Sequence, residues 1–89
     1  MKYPIITRRE DGSVKTREHE YYTEHHRKDE SLKKIVWTSG TVVYCRKDGT
    51  IKKVVYKDGN VIYYRKDGTI KKVVFKSGTV DYYRKDETK

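Results

Sequence analysis

Arg27, Arg46, Arg65 and Arg84 stand 19 residues apart, and the last three directly follow Tyr44-Cys45, Tyr63-Tyr64 and Tyr82-Tyr83. Lys52 and Lys71 recur on the same period, and Trp37 holds the place that Tyr56 and Phe75 take in later copies. Cations beside flat rings have a definite chemistry. Lys and Arg pair with phosphate, and exposed nucleobases stack on aromatic rings at about 1–3 kcal/mol each. The candidate binding set is therefore Arg46, Lys52, Arg65, Lys71 and Arg84 for phosphate, with Trp37, Tyr44, Tyr63 and Tyr82 as stacking platforms. The competing reading is cross-strand packing of aromatic and Lys side chains on a solvated sheet, with no ligand at all.

Other reactive residue types are present without a reactive arrangement. The segment EHEYYTEHH gathers His19, His25, His26 and three glutamates. Adjacent His25 and His26 must point to opposite faces of a strand, so at most one joins His19, and no third zinc ligand follows. Cys45 sits where later copies have Tyr64 and Tyr83, which suits a small, partly buried side chain. A nucleophile there would need an activating base, and none is close in sequence. With no GxSxG, phosphate-binding loop, paired carboxylates or CxxC, the chain is expected to be non-enzymatic, without metal or cofactor.

The elements that carry these residues follow from the repeat. Leu32–Trp37, Ile51–Tyr56 and Ile70–Phe75 form one set of runs, and Thr41–Arg46, Asn60–Arg65 and Thr79–Arg84 a second. TSGT, KDGN and KSGT separate them within units, and RKDGT separates the units. β-Branched and aromatic residues suit a pleated surface, while a Gly every nine or ten residues interrupts any helix. Asp-Gly and Ser-Gly mark hairpin turns, because Gly accepts positive φ. The expected fold is all-β: an antiparallel β-meander of 19-residue hairpin repeats in a single-layer, twisted or partly rolled sheet.

An odd period constrains the faces. Equivalent residues keep one face only if one of the two turns is longer by a residue. Assigning three residues to RKDGT, with Gly68 in the left-handed position, leaves Asp58-Gly59 as a tight turn. Lys33, Ile35, Trp37, Val42, Tyr44, Arg46 and their equivalents then share an aromatic, basic face. Leu32, Val36, Val43, Cys45 and their equivalents form the aliphatic face, with Lys34, Lys53 and Lys72 among them. Exchanging the turn lengths exchanges the faces of the second strands.

Residues 1–89 are expected to form one domain, with 1–31 a divergent hairpin segment and 32–86 three hairpin repeats. Only 34% of the residues are hydrophobic and 39% are charged, near the composition of disordered chains, but nine tyrosines and many Val and Ile argue for a fold. The net charge of +9 is uneven. Residues 1–31 hold seven Lys/Arg against seven Asp/Glu; residues 32–89 hold fifteen against six. No stretch has the length of a transmembrane helix, and MKYPIITRRE lacks the apolar core of a signal peptide, so the expected location is cytoplasmic.

YKDGNVIYYRKDGTIKKVVFKSGTVDYY, with its Tyr-x-x-Gly and Tyr-Tyr-x-x-x-Gly runs, resembles the MORN-type hairpin repeats over residues 32–85. The units here are shorter and have fewer glycines. The resemblance implies a single-layer hairpin stack that binds protein or anionic lipid, and it brings no catalytic residue. Taken with the charge, the expectation is a non-catalytic module that presents a basic, tyrosine-rich sheet to nucleic acid or a nucleoprotein complex. The alternatives are a protein–protein module or small phage-type inhibitor acting on an acidic protein surface, and an anionic-lipid binder. Homodimerisation through the aliphatic face or the sheet edges is compatible with each.

Overall fold

The computed structural model describes residues 2–84. Among them nine strands follow in order: β1 (Ile5–Arg8), β2 (Val14–Glu18), β3 (Tyr22–His26), β4 (Leu32–Trp37), β5 (Val42–Cys45), β6 (Ile51–Val55), β7 (Val61–Tyr64), β8 (Ile70–Val74) and β9 (Val80–Tyr82). Each is antiparallel to the next in one sheet ordered β1 to β9, an open meander rather than a barrel. This is the all-β hairpin meander that the 19-residue repeat predicts. Residues 85 and 86, the end of the last expected repeat, lie outside the described residues.

Seven of the eight turns share one geometry. In Arg46–Thr50 the Arg46 N–H donates to the Thr50 carbonyl at 2.8 Å, and the Gly49 N–H donates to the Arg46 carbonyl at 3.0 Å. Gly49 has φ 92°, a region closed to most side chains. Asp48 locks the loop, its Oδ1 accepting from both the N–H and the hydroxyl of Thr50, at 2.9 and 2.6 Å. Asp11, Asp29 and Asp67 repeat that lock on Ser13, Ser31 and Thr69. The exception is the β2–β3 corner, where His19 N–H donates directly to the Tyr22 carbonyl at 2.7 Å.

The expected difference in turn length is absent, because Lys57-Asp58-Gly59 forms the same three-residue loop as Lys66-Asp67-Gly68. The odd residue is instead a β-bulge. Tyr44 pairs with Lys53 and Cys45 with Ile51, leaving Lys52 as the extra residue. Lys71 is the equivalent residue in β8, Lys33 in β4 and Lys15 in β2. All four bulge lysines are exposed.

This register corrects the face assignment. Tyr44 pairs with Lys34 on one side and Lys53 on the other, so the tyrosines share a face with Lys34, Lys53 and Lys72 rather than with Lys33, Lys52 and Lys71. The same face carries a cross-strand row of Val36, Val42, Val55, Val61, Val74 and Val80. The opposite face carries the row Ile35, Val43, Val54, Ile62 and Val73.

No side chain among the described residues is fully buried; Cys45, Val54 and Val14 come nearest, at 7%, 8% and 9% exposure. A sheet one layer thick has no enclosed core. Its apolar cover consists of neighbouring β-branched side chains and the stems of long cations.

Candidate functional site

The repeat places a Lys in the first strand of each unit directly opposite a Tyr in the second. From β4 to β9 this produces one row across the sheet: Lys34, Tyr44, Lys53, Tyr63, Lys72, Tyr82. Each ammonium lies over a ring. Lys53 Nζ is 4.9 Å from the Tyr44 centroid and 5.7 Å from that of Tyr63; Lys72 Nζ is 4.8 Å from Tyr63 and 5.8 Å from Tyr82; Lys34 Nζ is 5.8 Å from Tyr44. The negative face of each ring attracts the cation and limits its wandering. With strands about 4.8 Å apart, equivalent ammoniums recur at roughly 9.6 Å.

The electrostatic setting of this row is one-sided. The strands β4 to β8 contain no Asp or Glu. Asp81 in β9 pairs with Val73 and so belongs to the other face. Between β4 and β8 the carboxylates stand in the turns, and Lys47 reaches back to Asp29 at 3.5 Å and Lys66 to Asp48 at 3.6 Å, one unit to the next. The Ser31 hydroxyl and N–H, with Lys47 beyond them, hold the Asp29 carboxyl at a pKa of about 2. Asp48 is lowered for the same reasons by Thr50 and Lys66.

Arg46 and Arg65 of the candidate set bond within the sheet. Arg46 donates through one terminal nitrogen to Thr50 Oγ1 (3.3 Å) and the Ile51 carbonyl (2.9 Å), and through the other to the Tyr64 carbonyl of the next unit (2.7 Å). Arg65 makes the equivalent bonds to Thr69, Ile70 and Tyr83. Arg27 makes them to Ser31, Leu32 and Cys45, and Arg9 to Ser13, Val14 and His26. Each guanidinium ties its own turn, the residue before its bulge lysine and the next hairpin together. Its planar fork suits three divergent acceptors in a way that an ammonium does not. A Ser or Thr four residues after each of these arginines was the available sequence signal for the clasp.

The candidate residues therefore divide. Tyr44, Tyr63 and Tyr82 stand together in the row. Lys52 and Lys71 are exposed bulge residues beside it, and their successors Lys53 and Lys72 make the ring contacts. Arg84 follows β9 and is exposed. Trp37 lies on the opposite face, paired with Tyr22 at 4.7 Å between centroids, and Tyr22 in turn stacks on His19 at 4.4 Å.

Beside those rings the Glu24 carboxylate bridges two imidazoles, with His19 Nε2 and His26 Nε2 each 2.9 Å from one oxygen. Burial raises the Glu24 pKa, but the bonds from His26 and His19 outweigh it and the net shift is downward. His25 is on the other face opposite Lys34, and burial together with Lys34 and Lys33 lowers its pKa. No group of three or more His, Cys, Asp or Glu side chains suited to a metal ion occurs among the described residues. Burial pushes the Cys45 thiol up, with Arg27 opposing, so the thiolate that nucleophilic chemistry needs is disfavoured. No helix among the described residues is long and apolar enough to cross a membrane.

No protein-family model, curated protein or solved structure matches the chain.

Proposed function

We propose that the protein is a non-catalytic binding module whose Lys–Tyr face receives nucleic acid or a nucleoprotein complex. The observation that carries this reading is the unbroken alternation of Lys34, Tyr44, Lys53, Tyr63, Lys72 and Tyr82 on a face to which strands β4 to β8 bring no carboxylate and from which Asp81 of β9 points away. A row of fixed cations at regular spacing suits a polymer of regularly spaced anions, and its attraction acts without base specificity. The resemblance of residues 32–85 to MORN-type repeats supports only the coarser part of this reading, binding through the surface of a single-layer sheet, since it implies protein or anionic lipid as the ligand.

The test is fluorescence anisotropy with labelled single-stranded and duplex oligonucleotides at about 50 and 200 mM salt, the range in which phosphate contacts show themselves. Saturable binding in the micromolar range or tighter supports the reading. Binding too weak to saturate even at the lower salt refutes it.

One observation favours a second reading, a protein–protein module. The edge strand β1 leaves Ile5 and Ile6 exposed at 44% and 42% and, among the described residues, pairs only with β2. Such an edge can add a strand from a partner protein. A stoichiometric complex that survives nuclease treatment and is lost on Ile6→Lys supports this second reading.

A further inference from the structure

The tyrosines of the row were expected to be platforms for bases, and their surroundings argue otherwise. A ring has two faces, and a base that stacks needs one of them open. Tyr44 receives Lys34 from β4 and Lys53 from β6; Tyr63 receives Lys53 from β6 and Lys72 from β8. Each ring thus has an ammonium from both neighbouring strands within 6 Å, and both rings are partly buried. Among the described residues Tyr82 has one such lysine, Lys72, and is itself 73% exposed. Trp37, the largest platform, belongs to the other face and already packs on Tyr22.

We infer that this face recognises the phosphodiester backbone and not the bases: Tyr44 and Tyr63 serve as anchors that hold Lys34, Lys53 and Lys72 in a row, and the ammoniums make the contacts. The inference rests on the nucleic-acid reading above and narrows it. The row crosses six strands, so it spans roughly 24 Å, the length of about seven phosphates on a B-form strand. Restricting a lysine before the ligand arrives lowers the ordering cost of the contact, which is the benefit the rings confer.

The experiment compares two labelled single strands of equal length with the intact protein, one of oligo-dT and one of the same backbone with abasic sites throughout. Backbone recognition gives dissociation constants within about threefold of each other. Stacking on a single ring is worth roughly 5- to 150-fold. An abasic strand that binds more than about fivefold more weakly therefore overturns the inference and leaves the nucleic-acid reading standing. If neither strand binds, that reading fails and the inference with it.

Two variants separate anchoring from stacking. Tyr63→Phe keeps the ring and is expected to bind both strands like the parent. Tyr63→Leu removes the ring while remaining bulky and apolar, and is expected to weaken both strands by an equal factor of several-fold. Weakening confined to the oligo-dT strand overturns the inference.

Discussion

Replacing Arg46 by Met keeps an apolar stem and removes every donor of the clasp. Three acceptors lose their partner: the carbonyls of Ile51 and Tyr64 at 2.9 and 2.7 Å, and the Thr50 hydroxyl at 3.3 Å. A hydrogen bond to a charged group contributes about 1.5–3 kcal/mol, and partial exposure of Arg46 places these at the lower end. Two well-formed bonds then give roughly 3 kcal/mol, and the long third bond adds little. Releasing the ordered side chain returns about 1 kcal/mol, so the expected net loss is roughly 2 kcal/mol. For 89 residues the unfolding entropy is about 0.19 kcal/mol per degree, which makes that loss a fall of about 10 °C in Tm. Thermal and urea unfolding followed by circular dichroism measure it. Lys52→Met, at an exposed bulge position, is the control and should stay within about 0.5 kcal/mol of the parent. If Arg46→Met melts within 2 °C or so of the parent, the clasp is not structural and the guanidinium is free for a ligand.

The remaining expectations concern a turn and the acid limb. Glu30 occupies the position where the equivalent turns have Gly, with φ 72°, and Glu30→Gly is expected to stabilise by about 0.5–1 kcal/mol after the extra backbone entropy of Gly is deducted. A Tm that fails to rise by a few degrees contradicts this. The carboxyls of Asp11, Asp29, Asp48 and Glu24 all have pKa values lowered by folding. Their contribution is complete above the unfolded values of 3.8 to 4.5 and is lost as pH falls towards the Asp29 value of about 2. Acid titration of stability should show a decline in that window that shrinks in Asp29→Asn, and an unchanged decline refutes the turn-lock assignment. His25 titrates with the opposite logic for a base. Its folded pKa lies below 6.5, so folding disfavours its protonation, and a small loss of stability should begin as pH falls through 6.5. His25→Gln should remove that loss, as read by Tm between pH 7.5 and 5.5.

The meander was legible because the glycine and Asp-Gly turn signals recur between β-branched runs, and every such corner is a turn. The division of the sheet into faces was not. Period-2 reasoning recognises that a 19-residue repeat needs one odd residue, but not where it goes. Placing it in a turn puts Tyr44 with Lys52, while the bulge at Lys52 puts Tyr44 with Lys53. A bulge leaves little trace in composition, since the sequence Ile-Lys-Lys-Val-Val reads equally well either way. The clasp of Arg46 and Arg65 was hidden for a related reason. An Arg after Tyr-Cys or Tyr-Tyr looks like a phosphate contact, and only the carbonyls that the bulge and the next hairpin present to it reveal the clasp. The tyrosines were placed together correctly, but the lysines over their rings come from adjacent strands, a fact that depends on register alone.

The measurement that bears most directly on the binding face is the salt dependence of oligonucleotide affinity in the parent and in Lys34→Gln/Lys53→Gln/Lys72→Gln. Each lysine that neutralises a phosphate contributes about 0.7 to the slope of log affinity against log salt for a single strand. The triple variant is expected to lose about 2 from that slope and to bind more weakly at every salt concentration, while folding like the parent by circular dichroism. A folded triple variant that keeps both the slope and the affinity of the parent would show that the Lys–Tyr row is not where the protein meets its ligand.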